Sequence, residues 1–312
     1  MPQLRLGTFN CENLFARFKF NKKVDPAKAT NNGFTVNETS FDLLNEGEKK
    51  LTSDVIKALD ADVLALQEVE NLDVLKRFRS ERLKGLDYTF VALIDGNDPR
   101  HIDVAVLSRY PIVAIRSHQH LRSGKSYTFS RDCLEVDIDV EGKPFVLFVN
   151  HFKSMLDKGD PKNGRKNTRS RRVQQAKTVM EIVQKRFGAA SGNHAWAVVG
   201  DLNDYRESTQ GTTSGIIDLV DWTEVENIVD RLPSEERWTH FYDGAKAPET
   251  SYRQLDYILL SKSLARATNA KPVIERRGLS PKATKAVQKR LKGVTSKSVA
   301  SDHCAVAIDL EL

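Results

Sequence analysis

The chain is cut into short apolar runs, and their spacing leaves few folds open. Strand-like runs occur at Leu4–Asn10, Val63–Gln67, Thr89–Ile94, Val104–Leu107, Leu134–Val140, Phe145–Asn150, Trp196–Gly200, Leu255–Leu260 and Cys304–Leu310. Residues 134–140 alternate apolar and acidic side chains, which marks a strand with one wet face. Glu141-Gly142-Lys143 then turns the chain into Phe145-Val146-Leu147-Phe148-Val149, a continuous apolar run that needs cover on both faces. Helical spacing appears at Leu51, Val55, Ile56 and Leu59, with a cap expected at Thr52 or Ser53. It returns at Val173, Ala176, Val179, Met180, Val183 and Phe187. Hairpins interleaved with helices predict an α/β sandwich, two mostly antiparallel sheets with helices outside.

No internal repeat or linker interrupts the pattern, so a single domain over residues 1–312 is expected. Two segments fit the core pattern poorly and read as insertions. One is the polar stretch 18–47; the other is the basic stretch 278–301, with helical spacing at Ala283, Val287 and Leu291. No apolar run is long enough to cross a bilayer, and Met1-Pro2-Gln3-Leu4 lacks a signal-peptide core, so a cytoplasmic location is expected. Cys11, Cys133 and Cys304 are scattered, which suits reduced thiols better than disulfides or a zinc site. The net charge of +6 conceals two segments, 158–186 and 271–297, of +8 each, which leaves −10 for the rest. That asymmetry predicts a polyanionic partner, nucleic acid, gripped by the two basic segments. The plain alternative is a pair of solvated surfaces.

Several strands end on groups that carry chemistry. Trp196-Ala197-Val198-Val199 stops at Gly200 and releases Asp201, Asn203 and Asp204. Open α/β sheets place ligands at such strand mouths, although Asn and Asp also serve as ordinary turn residues. The first strand ends on Asn10, Glu12 and Asn13, another on Gln67 and Glu68, and a third on His151. Asp256 interrupts the run Leu255–Leu260, where a carboxylate is costly to bury without a partner. Asp302-His303 opens the last strand. Each has a bland reading as a cap, a turn or a satisfied core group. Recurrence of the Asp201 pattern at five further strands favours a shared site.

The motifs TFNCENL (8–14), LQEVE (66–70), LSRYPI (107–112), NHFKS (150–154), GDLND (200–204), LDYIL (255–259) and SDHCAV (301–306) occur in order along the chain. Together they resemble the endonuclease/exonuclease/phosphatase superfamily, the group of deoxyribonuclease I and the apurinic-site endonucleases. The resemblance implies a four-layer α/β sandwich and a metal-assisted phosphodiesterase or phosphatase. By motif it implies Mg2+, with Mn2+ able to replace it, held by Glu68 with Asn10 and with Asp302 joining or supporting them. It further implies His303 acting on water or phosphate and oriented by Asp256, Asp201 as the acid/base carboxylate, and Asn203 as the amide that holds the phosphate. His151 matches a second histidine of the deoxyribonuclease-like branch, and Arg109 sits in a Ser-Arg pattern. Arg165, Arg169 and Arg172 follow the His151 strand and are expected, with Arg109, to meet substrate phosphates.

Three functions compete. The first is a divalent-metal nuclease acting on DNA or RNA. The second keeps the site but hydrolyses a small phosphorylated molecule or a lipid headgroup. The third is a catalytically silent nucleic-acid-binding module that retains the fold; Glu68→Ala discriminates, since unchanged cleavage would argue against a metal-dependent site at this position.

Overall fold

The computed structural model describes residues 2–15, 18–20, 41–43, 46–209, 211–244, 251–287 and 289–312. Twelve strands build two six-stranded sheets. In chain order they are β1 (Gln3–Leu14), β2 (Val63–Val69), β3 (Phe90–Leu93), β4 (Asp103–Ser108), β5 (Ile112–Arg116), β6 (Cys133–Val140), β7 (Lys143–His151), β8 (Trp196–Asp201), β9 (Val225–Asn227), β10 (Asp256–Ser261), β11 (Val273–Glu275) and β12 (Ala305–Glu311). The first sheet runs β11-β12-β1-β2-β4-β3 and the second β9-β10-β8-β7-β6-β5. Each is antiparallel except for one central pair, β1 with β2 and β7 with β8.

Period-two burial fixes which face each strand shows. Leu4, Leu6, Val63, Ala65, Val104 and Val106 meet Leu134, Val136, Phe145, Leu147, Val199 and Ile258 between the sheets. The opposite face of the first sheet lies under helices α1 (Glu46–Leu59) and α2 (Leu72–Arg82), where Phe9, Leu64 and Leu66 pack against Ile56, Leu59 and Phe78. The opposite face of the second lies under α3 (Gly164–Phe187), where Phe148, Trp196 and Val198 pack against Val179, Ile182 and Val183. The layers are therefore α/β/β/α, the sandwich that the strand and helix patterns predicted.

Local expectations hold where sequence signals were strong. Glu141 and Gly142 both take positive φ, as a two-residue hairpin turn requires, and Val140 pairs with Lys143. The expected wet face of β6 holds at Asp137 and Asp139, which are partly exposed, but is covered at Glu135, which is buried and bound by Arg116, His118 and Arg186. Helix α1 begins before the expected cap. Thr52 and Ser53 lie within it, and their hydroxyls bond Glu48 O and Lys50 O. Segment 278–301 forms no helix among its described residues. Pro281 and Gly293 interrupt it, and Leu279 and Ala283 pack as turns against Trp238, Phe241 and Cys304. Of segment 18–47, Phe18–Phe20 pairs with Phe41–Leu43, and residues 21–40 lie outside the described residues.

Candidate active site

The two parallel pairs decide where the polar groups meet. Parallel neighbours end at the same edge, so β1 and β2 deliver Asn10 beside Gln67, and β7 and β8 deliver His151 beside Asp201. Antiparallel β10 starts at that edge and sets Asp256 opposite Asp201. Residues 301–303 lead into β12 at the same end, where Ser301 Oγ donates to Asn10 O at 2.8 Å.

Asp201 is the hub. Its Oδ1 accepts from Asn203 N at 2.8 Å, and its Oδ2 accepts from Asn203 Nδ2 at 2.9 Å and Asn10 Nδ2 at 3.1 Å. His151 Nε2 lies 3.4 Å and His303 Nε2 3.8 Å from the same Oδ2. Burial, with Asp256 adding to it against His303, pushes the Asp201 carboxyl up to about 7. Gly200 makes this junction possible. Its φ is +127°, and a Cβ there would sit 1.9 Å from Asn150 O.

His303 is held from behind. Asp256 Oδ2 lies 2.9 Å from its Nδ1 and accepts from Thr239 Oγ1 at 2.7 Å. Burial alone would lower the imidazole, but Asp256 and Asp201 carry it well above the ordinary histidine value. His151 goes the other way: burial, Arg131 and His303 hold it well below. Arg131 NH2 stands 3.4 Å from His151 Nε2, and His151 Nδ1 is buried without a hydrogen-bond partner.

Glu68 takes a φ of +64° and turns away from the ladder; its Oε2 accepts from Asn13 N at 3.1 Å, and its Oε1 lies 3.9 Å from His151 Nε2. Asp302 N donates to Glu12 Oε2 at 2.9 Å, and partial burial with the charges of Asp302 and Glu68 raises the Glu12 carboxyl above its ordinary range. Three carboxylates, Glu12, Glu68 and Asp302, therefore face one rim.

The structure thus gathers Asn10, Glu68, His151, Asp201, Asn203, Asp256, Asp302 and His303. Asn203 has a different geometry from the one expected: both amide hydrogens turn inward, to Asp201 and to Phe152 O at 3.2 Å, so it positions Asp201. The four arginines expected at phosphates lie elsewhere. Arg109 sits at the far end of the first sheet and bonds Asp62, Asp60 and Leu86 O. Arg172 is fully buried against Asp204 at 2.9 Å. Arg165 bonds Asp204, Tyr205 O and Glu207 O, and Arg169 bonds Thr213 O and Ser214 O. Long planar donors reaching carbonyls and carboxylates in this way fasten α3 to the loop after β8.

Sequence reasoning missed Thr239, His240 and Arg131, and gave Glu12 no role. His240 opens a two-residue strand, His240–Phe241, and Thr239 precedes it, so neither has a periodicity to read. Arg131 carried one signal, a cation two residues before the start of β6.

Comparison with known proteins agrees with this architecture. A comparison with curated proteins finds no match. Truncated Caenorhabditis elegans TDP2 is similar at 15% identity and a TM-score of 0.60, covering 99% of this chain and 98% of that one. The endonuclease/exonuclease/phosphatase from Beutenbergia cavernae aligns at 16% identity and 0.62, over 100% and 72%. Danio rerio TDP2 complexed with single strand DNA product aligns at 14% and 0.59, over 99% of each chain. These likenesses show the fold. The profile described as the Endonuclease/Exonuclease/phosphatase family matches residues 7–303, so the chain belongs to that family of phosphate-ester hydrolases.

Proposed function

We propose that this chain is a divalent-metal phosphodiesterase that cuts nucleic acid, its catalytic unit spanning residues 1–312. The observation that carries the reading is the row Thr239–Asp256–His303–Asp201–Asn10, which joins both sheets at one edge. Asp256 fixes the imidazole so that His303 Nε2 faces the cleft, ready to donate to a phosphate oxygen or leaving group. Asp201, titrating near 7, is poised to take a proton from attacking water.

The donor set fits a hard cation. Glu12, Glu68 and Asp302 offer only oxygens, and Mg2+ keeps several waters and needs few protein ligands. Glu68 and Asp302 would hold it, with Mn2+ able to replace Mg2+; Asn10 lies behind, its Oδ1 engaged by Glu12 N at 3.0 Å. Such an ion polarises the scissile phosphate and offsets its charge.

Nucleic acid is favoured over a small ester by what surrounds the site. The lysines of the two basic segments, among them Lys158, Lys162, Lys166, Lys282, Lys285 and Lys289, face outward. A groove of about 340 Å³ that Gln254 borders, two residues before Asp256, is lined by Trp238, Tyr252, Arg253 and Lys285 together with Glu207 and with Asp230, which pairs with Arg206 and Arg237. Tyr252 and Lys285 give that groove an aromatic and a cationic wall of the kind that suits a single strand, and the Danio rerio protein was solved with a single strand DNA product.

The test is a cleavage panel of labelled single- and double-stranded DNA, RNA and abasic duplex, with Mg2+, Mn2+ or chelator. Metal-dependent cleavage that falls about 10²–10³-fold in Glu68→Ala is the expected result. Intact polynucleotides beside hydrolysed inositol phosphates or sphingomyelin would move the substrate to the small-ester class. Cleavage unchanged in Glu68→Ala would sink the metal assignment.

A further inference from the structure

Beside the Asp256–His303 pair stands an imidazole that the hydrolytic reading leaves without a task. His240 lies opposite His303 in an isolated antiparallel bridge. The bridge is locked by Phe241 N to Asp302 O at 3.0 Å and Cys304 N to Thr239 O at 2.6 Å. Bridged residues show their side chains on one face, and the two rings stand 4.6 Å apart at 61°. Asp302 reaches both. His240 Nε2 is 3.3 Å from Asp302 Oδ2, and His303 Nε2 is 3.8 Å from Asp302 Oδ1. Ligand atoms of the three residues all lie within 4.8 Å of one another.

We propose that His240, Asp302 and His303 form a zinc-binding site whose occupation silences hydrolysis. Two ligands of a tetrahedral zinc at about 2.0–2.2 Å stand about 3.3–3.5 Å apart. The His240–Asp302 separation of 3.3 Å lies in that range, the His303–Asp302 separation of 3.8 Å lies just outside it, and side-chain rotation must draw the three ligand atoms in from within 4.8 Å of one another. Two imidazoles and one carboxylate select zinc-class ions, whereas the all-oxygen rim of Glu12, Glu68 and Asp302 suits Mg2+, so Asp302 is shared by the two sites. His303 is also prepared as a ligand. Its Nδ1 is taken by Asp256, which leaves Nε2 to the metal in the carboxylate–histidine–metal arrangement. That same Nε2 faces the phosphate in the proposed hydrolysis, so zinc and turnover exclude each other. This last step rests on the proposed function; the site itself does not.

The experiment uses the full chain, stripped of metal and returned to Mg2+, with Co2+ as the optical probe. One Co2+ per chain should bind with the visible bands of a histidine-ligated ion, and Zn2+ should displace it. His240→Asn, shown folded by circular dichroism, should weaken Co2+ binding by about tenfold or more. Asp302→Asn serves if that variant does not fold. In cleavage assays, the zinc concentration that halves each protein's own zinc-free rate should rise by at least the same factor in His240→Asn. Co2+ binding without those bands, or equal binding by wild type and variant, overturns the site. If wild type cuts no phosphate ester yet Co2+ binds as described, the proposed function fails and the site stands. Zinc that binds but leaves the rate unchanged overturns the silencing.

Discussion

Asp201 and Asp204 stand in one motif, GDLND, yet the structure gives them different work, and Asp204→Ala separates the two. Asp204 is fully buried and accepts from Arg165 Nε at 2.7 Å, Arg172 Nε at 2.9 Å, Tyr205 N at 2.9 Å and Gly215 N at 2.8 Å. Arg172 is equally buried, whereas the Arg165 side chain keeps 11% exposure and can recover water. Truncation leaves the Arg172 guanidinium without a counter-charge, a loss of about 3–5 kcal/mol. That is a large part of the roughly 5–15 kcal/mol that holds a folded chain together. At about 2 °C per kcal/mol for a chain of this size, the melting temperature should fall by about 6–10 °C. Differential scanning calorimetry and urea titration both read the change. Adding Arg172→Met removes the stranded charge, so the double variant should be more stable than the sum of the single losses allows, with a coupling of about 1 kcal/mol or more. Neither change touches Asp201, so cleavage per folded molecule should persist. A shift below about 2 °C, or strict additivity, would refute the clamp.

Three further outcomes follow from the geometry. With the Asp201 carboxyl raised from its ordinary 3.8 to about 7, cleavage should rise with pH through about 7 in a pH–rate profile. The folded state also holds that proton more tightly than the unfolded one, so this group's stabilisation is full below 3.8 and lost as pH rises through 7; Asp201→Asn should remove that slope from urea midpoints. Asp256→Asn should lower cleavage by about 10²–10⁴-fold. It should also lower the raised His303 titration seen by NMR, and with it a stabilisation that is full below about 6.5 and fades as pH passes the folded value. Neutralising Lys282, Lys285 and Lys289 together should flatten the salt dependence of single-strand binding by up to about 0.7 per lost phosphate contact, and an unchanged slope would remove segment 271–297 from the interface.

Much of the fold was legible because its central strands are covered on both faces. Runs such as Phe145–Val149 and Trp196–Val199 need that cover, and they form the middle of the second sheet. The unread strands are β5, β9 and β11, and all three lie at sheet edges. An edge strand pairs on one side only and can leave apolar residues outside, as β5 does with Val113 64% and Ile115 41% exposed. Segment 278–301 shows the opposite failure. Its spacing at Ala283, Val287 and Leu291 is real and all three residues pack inward, the first two on one cluster and Leu291 on another, but a proline and a glycine make the chain meet the core in turns.

The same contrast between strand and loop explains which site residues could be read. A carboxylate or histidine at the end of a buried strand is visible in sequence, because burying it without a partner is costly. Asp256 betrays itself in this way, and Asp201 and His151 follow from the apolar runs before them. Once the parallel pairs are placed, each pair must release its ends together, and the packing of the two sheets brings both pairs to one edge, where Asn10 meets Asp201. An arginine gives no such signal. Residues 165–172 read as charge available to a phosphate, yet their acceptors are Asp204 and the carbonyls of Tyr205, Glu207, Thr213 and Ser214, whose approach is settled only by how α3 docks. The basic segments therefore divide by side chain: these arginines build the scaffold and the exposed lysines carry the field. Lysine contacts are point charges without fixed planar geometry, so contacts of this kind bind any polyanionic strand with little regard to sequence. On the proposed nucleic-acid reading, selectivity then falls to the groove that Gln254 borders, two residues before Asp256, where Tyr252 and Lys285 are the groups placed to supply it.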